Sequence, residues 1–385
     1  MRTIGIVTVG RSDYGIYRSI LKQIASDPDL QLRLFVGGMH LSPRFGLTVK
    51  TIEADGYEIC ERVKMLVSSD TPEAISKSMG LGLIGFARAY RRSRPDILVV
   101  LGDRFEMHAA ALAALPFNIP VAHIHGGELT QGAIDDALRH SMTKLSHLHF
   151  VSTKEYARRV AQLGEEKWRI TVSGAPSLDN LKTMKLLNRP VLEKKLKIRL
   201  TPPPLLVTFH PVTLEYTKAA WQTGELLAAL KTISLPVIFT LPNADTGGRV
   251  IRAMIKKYVK QSDSASICDN MGVQKYFSLM NLAAAMVGNS SSGIIEAPSL
   301  KLPVVNIGSR QGGRVRAKNV IDVGCRREKI EAGIRRAISD KFRSGLKGLV
   351  NPYGDGHAAE RIVRRLKEVE LNDRLIRKTF QDIKA

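Results

Sequence analysis

Short apolar runs alternate with amphipathic stretches along the first half of the chain. The runs occupy residues 4–10, 32–38, 97–103, 120–127, 147–152 and 169–174. Each run ends at a Gly, Asp or Ser and is otherwise almost wholly apolar, which is typical of a strand buried on both faces. Segments of helical length lie between the runs, as at residues 14–27. This alternation predicts a parallel sheet covered by helices on both sides.

The same pattern starts again in the second half, with apolar runs at residues 205–211, 236–243, 265–270, 284–290, 303–308 and 319–324. A polar, basic stretch that ends in three prolines separates the two series and predicts a linker with a helix in it. We therefore expect an α/β fold of two Rossmann-type, doubly wound domains with the active site in the cleft between them. The predicted boundaries are 1–180, a linker at 181–203, 204–358, and C-terminal helices at 359–385 that pack back on the first domain.

The composition is that of a folded protein that can bury a sizeable core, since 44% of the 385 residues are hydrophobic and 24% are charged. The cysteines, Cys60, Cys268 and Cys325, are far apart and form no C-x-x-C pair. That pattern argues against a disulfide framework or a structural zinc site and indicates the reducing cytoplasm. The N-terminus reads as a first strand, and no apolar run approaches the roughly 18 to 20 residues that cross a bilayer. We expect a cytoplasmic protein without a membrane partner.

The net charge of +22 would attract any polyanion, including nucleic acid or a phosphorylated metabolite. The basic residues are scattered as pairs and triplets, however, and only 6% of the residues are aromatic. Binding of nucleic acid by base stacking needs clustered aromatic side chains, so solvated helix faces explain the charge better. A polyanion-binding module without catalytic turnover remains the alternative from a different functional class.

Polar residues at the strand ends of the second half indicate an anion site. Ser290 and Ser291 lie in a small, hydroxyl-rich turn at a predicted helix start, where free N–H groups and the helix dipole favour a phosphate or diphosphate. Glu296, about one turn into that helix, is expected to reach ribose hydroxyls. Further candidates are two arginines that could neutralise a diphosphate, a histidine that ends the strand LLVTFHP, and an asparagine that could bind a sugar hydroxyl: Arg310, Arg314, His210 and Asn243.

Strand ends of the first half carry groups for acid and base chemistry. Arg11 begins a helix in GRSDYG, which is neither a dinucleotide fingerprint nor a P-loop. Four further candidates follow two later strands: Asp103, Arg104, His125 and Glu128. A fifth, Asp135, begins a predicted helix, in which it faces Arg139 at i,i+4 spacing. A metal site built on His123, His125 and Glu128 is disfavoured, because no H-E-x-x-H or similar pattern accompanies them. We expect no metal or other cofactor.

The chain resembles the UDP-N-acetylglucosamine 2-epimerase family, most closely its hydrolysing branch, in eight motifs in the same order: RSDYG, LGDRFE, HIHGGE, DDALRH, FHPVT, LPNADTG, GNSSSGIIEA and NIGSRQGGR. The resemblance spans residues 4 to 360 and implies the two-domain arrangement called GT-B. It assigns the diphosphate to Ser290, Ser291, Arg310 and Arg11, and the ribose to Glu296. It places His210 and Asn243 along the sugar and diphosphate pocket. It makes Asp103 and Asp135 the acid and base groups, with Arg104 supporting them.

The activity that this resemblance implies is conversion of UDP-N-acetylglucosamine and water to N-acetylmannosamine and UDP, for sialic acid biosynthesis, by a homodimer or homotetramer. One position departs from the family. Several members have a catalytic glutamate where this chain has His125, so either His125 or Glu128 takes over the proton transfer. The alternatives are the same reaction on UDP-2,4-diacetamido-2,4,6-trideoxyglucose of the legionaminic acid pathway, a non-hydrolysing epimerase, and a GT-B glycosyltransferase.

Overall fold

The computed structural model describes residues 1–69, 71–131, 134–242, 247–269 and 271–382, with Thr213 described by its backbone alone. Within these limits the chain divides into two compact units. The N-terminal unit comprises Met1–Glu128, Asp135–Lys182 and Tyr353–Ala385, and the C-terminal unit comprises Leu129–Ile134 and Thr183–Pro352. The residues of the predicted linker therefore belong, from Thr183 onwards, to the C-terminal unit.

The elements are numbered along the described chain. The strands are β1 (Arg2–Thr8), β2 (Leu30–Gly37), β3 (Ile59–Val63), β4 (Ile97–Leu101), β5 (Val121–Ile124), β6 (Leu148–Val151), β7 (Ile170–Val172), β8 (Leu205–Thr208), β9 (Val237–Thr240), β10 (Ala265–Ile267), β11 (Ala285–Gly288), β12 (Val304–Ile307) and β13 (Val320–Val323).

The helices are α1 (Arg11–Ser26), α2 (Val49–Ala54), α3 (Pro72–Arg92), α4 (Phe105–Ala114), α5 (Asp135–Leu145), α6 (Lys154–Gln162), α7 (Ser177–Thr183), α8 (Arg189–Leu196), α9 (Ala219–Leu230), α10 (Gly248–Lys260), α11 (Gly272–Leu282), α12 (Ser292–Ile295), α13 (Arg327–Ile338), α14 (Asp340–Ser344), α15 (Ala358–Glu368) and α16 (Asp373–Ile376). Short 3₁₀ helices lie at Gly38–Leu41, Pro43–Phe45, Leu115–Phe117, Lys167–Arg169, Thr213–Lys218 and Ala297–Leu300.

Each unit is built on one parallel sheet. The strand order in the N-terminal unit is β3-β2-β1-β4-β5-β6-β7, and in the C-terminal unit it is β10-β9-β8-β11-β12-β13. The order reverses between β1 and β4 in one sheet and between β8 and β11 in the other. Open α/β sheets bind their ligands where the strand order reverses in this way, at the carboxyl ends of the strands. The predicted fold class is confirmed.

All twelve apolar runs contain a strand, and the pattern missed only β3. This strand pairs with β2 at the edge of its sheet. It contains Glu61 and Arg62, which fit an edge but not the interior of a sheet. Hydropathy therefore identifies the strands that are buried on both faces and misses the half-exposed one.

The C-terminal segment of the chain completes the core of the N-terminal unit. Ile362 and Leu366 of α15 belong to the same hydrophobic core as Ile20 and Leu21 of α1. Farther on, Arg169 donates hydrogen bonds to the carbonyls of Leu375 (2.8 Å), Arg374 (2.7 Å) and Arg377 (3.0 Å). A buried guanidinium with several carbonyl partners fixes a segment strongly, because each lost acceptor would leave a charged donor unsatisfied. No helix among the described residues is long and apolar enough to cross a membrane.

Candidate active site

Two predicted site residues of the N-terminal unit follow the strands at which the strand order reverses. Arg11 begins α1 directly after β1 and is exposed. Asp103 follows β4, after Gly102, whose φ is +76°. Because β1 and β4 are neighbours in the sheet, both residues lie at its carboxyl edge.

Asp103 forms an ion pair with Arg139 of α5. The Nη2 atom of Arg139 donates to Oδ2 of Asp103, and the arginine side chain is only 2% exposed against 19% for the aspartate. The i,i+4 spacing predicts Asp135 as a partner of Arg139. The partner that the structure shows for the Nη2 atom of Arg139 is Asp103. The buried guanidinium of Arg139 fixes the orientation of the Asp103 carboxylate. Asp135 lies half-buried at the first position of α5.

Arg104 is engaged within the protein. Its Nε and Nη2 atoms donate to the two carboxylate oxygens of Glu106, each at 3.1 Å, and both side chains are buried. Asp13 lies close to this pair. Burial raises the pKa of Asp13 to about 6, with Arg104 lowering it and Glu106 raising it. Arg104 therefore contributes to the site as part of a buried charge cluster beneath the strand ends.

His125 follows β5 and contacts two polar side chains. Its Nδ1 atom lies 2.7 Å from Oε1 of Glu128, and the hydroxyl of Ser152, which follows β6, donates to the same oxygen at 2.6 Å. His125 and Glu128 are only 6% and 1% exposed. His125 also has a φ of +66°, a left-handed conformation that is costly for a residue with a Cβ atom. Strain of this kind is common at functional sites, where the surrounding structure holds it in place.

The other histidine of this motif has different partners. The ring of His123 lies 2.8 Å from the carbonyl of Gly102 through Nε2 and 3.4 Å from the hydroxyl of Thr143 through Nδ1. Burial lowers the pKa of His123 to about 3, although its hydrogen bond to the carbonyl of Gly102 raises it. The described residues contain no group of three or more His, Cys, Asp or Glu side chains that could hold a metal ion. His123 thus acts as a neutral structural link between strands.

In the C-terminal unit, His210 and Asn289 follow the neighbouring strands β8 and β11. The side-chain oxygen of Asn289 accepts from the backbone N–H of His210 at 2.7 Å, and its amide donates to the carbonyl of His210 at 2.8 Å. His210 is buried, at 7% exposure. The asparagine therefore joins the two loops at the point where the strand order reverses.

The serine loop, residues Asn289–Ser292, follows a glycine that no other residue can replace without displacing the backbone. Gly288 has a φ of +135°, and a Cβ atom there would lie 1.9 Å from the carbonyl oxygen of Thr208. Within the described chain, the N–H groups of Ser290 and Ser291 have no protein acceptor. Unpartnered backbone donors in adjacent residues are suited to bind an anion.

The helix after the serine loop is shorter than predicted. Helix α12 is a single turn, Ser292–Ile295, because Pro298 cannot continue an α-helix and the chain enters a 3₁₀ turn. Glu296 therefore lies at the C-terminal end of α12, buried to 6% exposure, and not one turn into a longer helix. The backbone donors of the loop, more than a helix dipole, would therefore be the groups that an anion meets there.

Tyr276 of α11 reaches the serine loop, and nothing in the sequence pattern singled it out. Burial raises the pKa of Tyr276 to about 12, although hydrogen bonds with Ser292, Thr208 and Ser290 lower it; nearby Glu296 raises it. An aromatic residue at helical spacing is usually a core residue, so its polar contacts could not be foreseen.

The two predicted arginines have different surroundings. Arg310 donates from Nη1 to the carbonyl of Asn289 at 3.2 Å, which places its half-exposed guanidinium beside the serine loop. Arg314 is buried and donates to the carbonyl of Leu129 (3.0 Å) and the hydroxyl of Thr130 (3.4 Å). Arg314 therefore holds the segment that follows Glu128. Asn243 lies outside the described residues.

The structure thus gathers most of the predicted residues at the strand ends of each unit. In the N-terminal unit these are Arg11, Asp103, Arg104, His125, Glu128 and Asp135; in the C-terminal unit they are His210, Ser290, Ser291, Glu296 and Arg310. The residues that the sequence did not assign to the site are Asp13, Arg139, Ser152, Tyr276 and Asn289. Of these, Ser152 ends an apolar run, Asn289 lies one residue before the end of another, and Arg139 stands at i,i+4 spacing from Asp135.

Known proteins resemble this chain over nearly its whole length. A family model described as UDP-N-acetylglucosamine 2-epimerase matches residues 22–367. A GDP/UDP-N,N'-diacetylbacillosamine 2-epimerase (hydrolyzing) from Campylobacter jejuni is 41% identical over 385 residues, which are 99% of this chain and 99% of that protein. A UDP-N,N'-diacetylbacillosamine 2-epimerase (hydrolyzing) from Legionella pneumophila is 37% identical over 378 residues, which are 98% of this chain and 99% of that protein.

Solved structures share the fold. The UDP-GlcNAc 2-epimerase from Neisseria meningitidis bound to UDP-GlcNAc matches with a TM-score of 0.81 at 16% identity, covering 95% of this chain and 99% of that one. The match in fold, together with the full-length sequence matches to two proteins named as hydrolysing 2-epimerases, leads to one conclusion. The chain belongs to the UDP-N-acetylglucosamine 2-epimerase family.

Proposed function

We propose that the chain is a hydrolysing 2-epimerase whose substrate is UDP-2,4-diacetamido-2,4,6-trideoxyglucose, also called UDP-N,N'-diacetylbacillosamine. The observation that carries this proposal is the identity of 41% and 37%, over nearly the whole chain, to two proteins named for that substrate. The resemblance of the motifs led us to expect UDP-N-acetylglucosamine first and the diacetamido sugar as the alternative. The named relatives favour the alternative, and UDP-N-acetylglucosamine becomes the second candidate because the family is described by that sugar.

The C-terminal unit supplies groups suited to a diphosphate. The N–H groups of Ser290 and Ser291 and the guanidinium of Arg310 would bind the phosphate oxygens, and Arg11 of the N-terminal unit would add a second positive charge. Glu296 would accept hydrogen bonds from ribose hydroxyls. A diphosphate leaves readily when its growing charge is balanced, and each well-placed donor contributes a few kcal/mol to that stabilisation.

The hydrogen on sugar C2 is too weakly acidic for simple deprotonation, so its removal is coupled to the departure of UDP in an elimination. A base removes that proton, the C–H electron pair forms the C1=C2 double bond, and the C1–O bond breaks so that UDP leaves with its electron pair. Water adds to C1 of the resulting glycal while an acid protonates C2 on the opposite face. The products are UDP and the free sugar, epimerised at C2.

Groups for these proton transfers lie in the N-terminal unit. Asp103 is held in place by Arg139, and His125 lies next to Glu128, so both strand ends offer a group that can exchange a proton. Two groups are required because the proton leaves one face of the ring and returns on the other. Asp135 and His210 remain further candidates for contacts with the reacting sugar.

The cellular setting that we propose is the cytoplasm. Cys60, Cys268 and Cys325 are all free thiols in the structure. Disulfides are rare in reducing compartments, so three unpaired cysteines support a location in such a compartment.

The test is incubation of the enzyme in deuterated water with three nucleotide sugars: UDP-2,4-diacetamido-2,4,6-trideoxyglucose, its GDP analogue and UDP-N-acetylglucosamine. We expect free epimerised sugar with deuterium at C2, together with UDP, and the highest kcat/KM for the first substrate. The GDP analogue is included because the Campylobacter relative is named for both nucleotides. A product that is still a nucleotide sugar would indicate a non-hydrolysing epimerase. Turnover that requires an acceptor would indicate a glycosyltransferase.

A further inference from the structure

His125, Glu128 and Ser152 form a hydrogen-bonded chain that ends at the carboxyl edge of the N-terminal sheet. Glu128 is the most deeply buried of the three, and its Oε1 atom receives both the imidazole Nδ1 (2.7 Å) and the Ser152 hydroxyl (2.6 Å). The inference drawn from these hydrogen bonds rests on the proposed function. It gives different roles in the proton transfer to His125 and Glu128, which the sequence does not distinguish.

The contacts bear on which ring nitrogen carries the proton. A carboxylate in its ionised form can only accept hydrogen bonds, and with Glu128 in that form Nδ1 of His125 donates to it. In the neutral ring the other nitrogen, Nε2, is then an acceptor with a free lone pair. This atom makes no hydrogen bond to any residue in the described part of the chain, and it is not among the enclosed polar atoms that lack a partner. Nε2 is therefore the atom of the pair that can meet a substrate.

The backbone holds the ring in this orientation. The N–H of His125 donates to the carbonyl of Phe150 at 2.9 Å and so extends the pairing of β5 with β6 by one residue. The following turn is equally constrained, because a Cβ atom at Gly127, whose φ is +74°, would lie 2.5 Å from the carbonyl oxygen of Tyr156. The positive φ of His125 is thus maintained from both sides.

We propose that Nε2 of His125 is the base that removes the C2 proton, and that Glu128 and Ser152 are positioning residues that act through His125. The C2 proton moves to Nε2, the C–H electron pair forms the C1=C2 bond, and UDP leaves with the C1–O pair. Glu128 stabilises the imidazolium that results, as a carboxylate does behind a catalytic histidine. Asp103, held by Arg139, is left for the opposite face.

Glu128 contacts Nδ1 of His125, whereas the neighbouring His123 has partners of its own, the carbonyl of Gly102 and the hydroxyl of Thr143. Substitution of Glu128 should therefore change the tautomer of His125.

The tautomer can be observed without any turnover. In ¹⁵N-histidine-labelled protein, ring nitrogens that carry a proton and those that do not resonate in separate regions, and the His125→Asn spectrum identifies the His125 signals among those of the nine histidines. We expect the Nδ1–H form in the wild-type protein. In Glu128→Gln the side-chain amide can donate to Nδ1, so we expect the Nε2–H form to appear.

The same variants are then compared in kinetics. Glu128→Gln should slow UDP release about 10²- to 10⁴-fold, the range for loss of general acid–base catalysis, with KM changed less than about 3-fold. Ser152→Ala should slow it about 5-fold, since one neutral hydrogen bond is lost. Glycine tolerates the left-handed conformation of position 125, so His125→Gly should fold, and added imidazole should restore part of its activity.

Matched controls separate this role from stability. Glu165 and His149 form a second buried pair in the same unit, 3.0 Å apart, so Glu165→Gln makes the same chemical change elsewhere. Ser173→Ala likewise removes a buried hydroxyl at the end of the neighbouring strand β7. Both controls should retain the wild-type kcat.

The outcomes are distinct. An Nε2–H tautomer in the wild-type protein, or a Glu128→Gln variant with wild-type kcat, would overturn the proposal, and so would a His125→Gly variant that imidazole does not rescue. If the wild-type enzyme turned over none of the nucleotide sugars, the proposed function would fail instead. The tautomer spectra would still show whether Glu128 orients His125.

Discussion

Asn289 makes two hydrogen bonds to the backbone of His210, one to its N–H and one to its carbonyl. A single side chain thus replaces the ladder contacts that β8 and β11 would have made one residue farther on. Both loops carry candidate ligands for the diphosphate. The amide of Asn289 therefore sets the distance between His210 and the serine loop.

Asn289→Ala should destabilise the C-terminal unit by about 2 to 4 kcal/mol, because it leaves two buried backbone groups without partners. Urea unfolding followed by the fluorescence of Trp221, in a Trp168→Phe background, reports on this unit alone, since the chain has two tryptophans. Asn319→Ala removes one comparable bond, to the carbonyl of Leu302, and should cost about half as much. Equal losses in the two variants would contradict the special role of Asn289.

Gly288→Ala should prevent the C-terminal unit from folding normally. The new methyl group would lie 1.9 Å from the carbonyl of Thr208, and the φ of +135° is unavailable to alanine, so we expect a loss above about 3 kcal/mol. Gly324→Ala is the control, since a Cβ atom there meets nothing within 4 Å. Far-UV circular dichroism and thermal unfolding of both variants provide the measurement. A stable Gly288→Ala variant that binds UDP would show that the loop has another backbone conformation.

Asp103→Asn should abolish chemistry and spare nucleotide binding. Loss of one acid–base group lowers turnover about 10²- to 10⁴-fold, whereas the diphosphate is assigned to other side chains and N–H groups, those of Ser290, Ser291, Arg310 and Arg11. UDP release and C2 deuterium incorporation measure the first effect, and calorimetric titration with UDP measures the second. Asp96→Asn is the control, since Asp96 accepts from the N–H of Thr3 on the opposite, amino-terminal side of the sheet. If Asp103→Asn failed to bind UDP, Asp103 would have a structural role.

Arg310→Ala should weaken UDP binding about 10- to 100-fold, which corresponds to the loss of one or two charge-assisted hydrogen bonds. Arg310→Lys keeps the charge but not the planar donor pair, so its affinity should be intermediate. Arg326→Ala removes an exposed arginine of the same unit and should leave the dissociation constant unchanged. Titrations at two salt concentrations would show whether the loss reflects the site or only the overall positive charge.

The stability of the N-terminal unit should fall as the pH drops from about 6.5 towards 4. Burial lowers the pKa of His40 to about 4, that of His123 to about 3 and that of His147 to about 4. These rings stay neutral in the folded state and take up protons on unfolding, so the stability that they contribute is present above pH 6.5 and lost below it. Asp13, with its pKa raised to about 6, acts in the opposite direction over the same interval.

His40→Asn tests this dependence. It should reduce the slope of unfolding free energy against pH by about one proton, or about 1.4 kcal/mol per pH unit, near pH 5. Urea midpoints between pH 4.5 and 7 give the slope. An unchanged slope would mean that the imidazole between Thr8 and Thr48 is already protonated in the folded protein.

The sequence allowed the fold to be predicted because strands buried on both faces are continuous apolar runs. The same contrast identified Asp103, His125, His210 and Ser290, each a polar residue where such a run ends. Residues that reach the site from a helix gave no comparable signal. The pairing of Arg139 with Asp103 depends on how α5 packs, and packing is decided by three-dimensional contacts that spacing along one helix does not contain.

Local conformation was harder still to foresee. The positive φ of His125 results from pairing with β6 and from the turn that follows, so it is a property of the folded sheet. The single turn of α12 is predictable in principle, because Pro298 limits the length of the helix. The serines alone indicate where the helix begins and not where it ends. These are the places where tertiary contacts override local preference.

The contribution of α15 to the core of the N-terminal unit has a consequence for biosynthesis. A nascent chain that has emerged only to residue 352 holds every strand of both sheets but leaves the apolar face of α1 uncovered. The whole C-terminal unit is therefore synthesised before α15 can complete the core of the N-terminal unit. A premature stop codon between Pro352 and the start of α15 should yield a product that chaperones and proteases recognise, even though every candidate catalytic side chain is present.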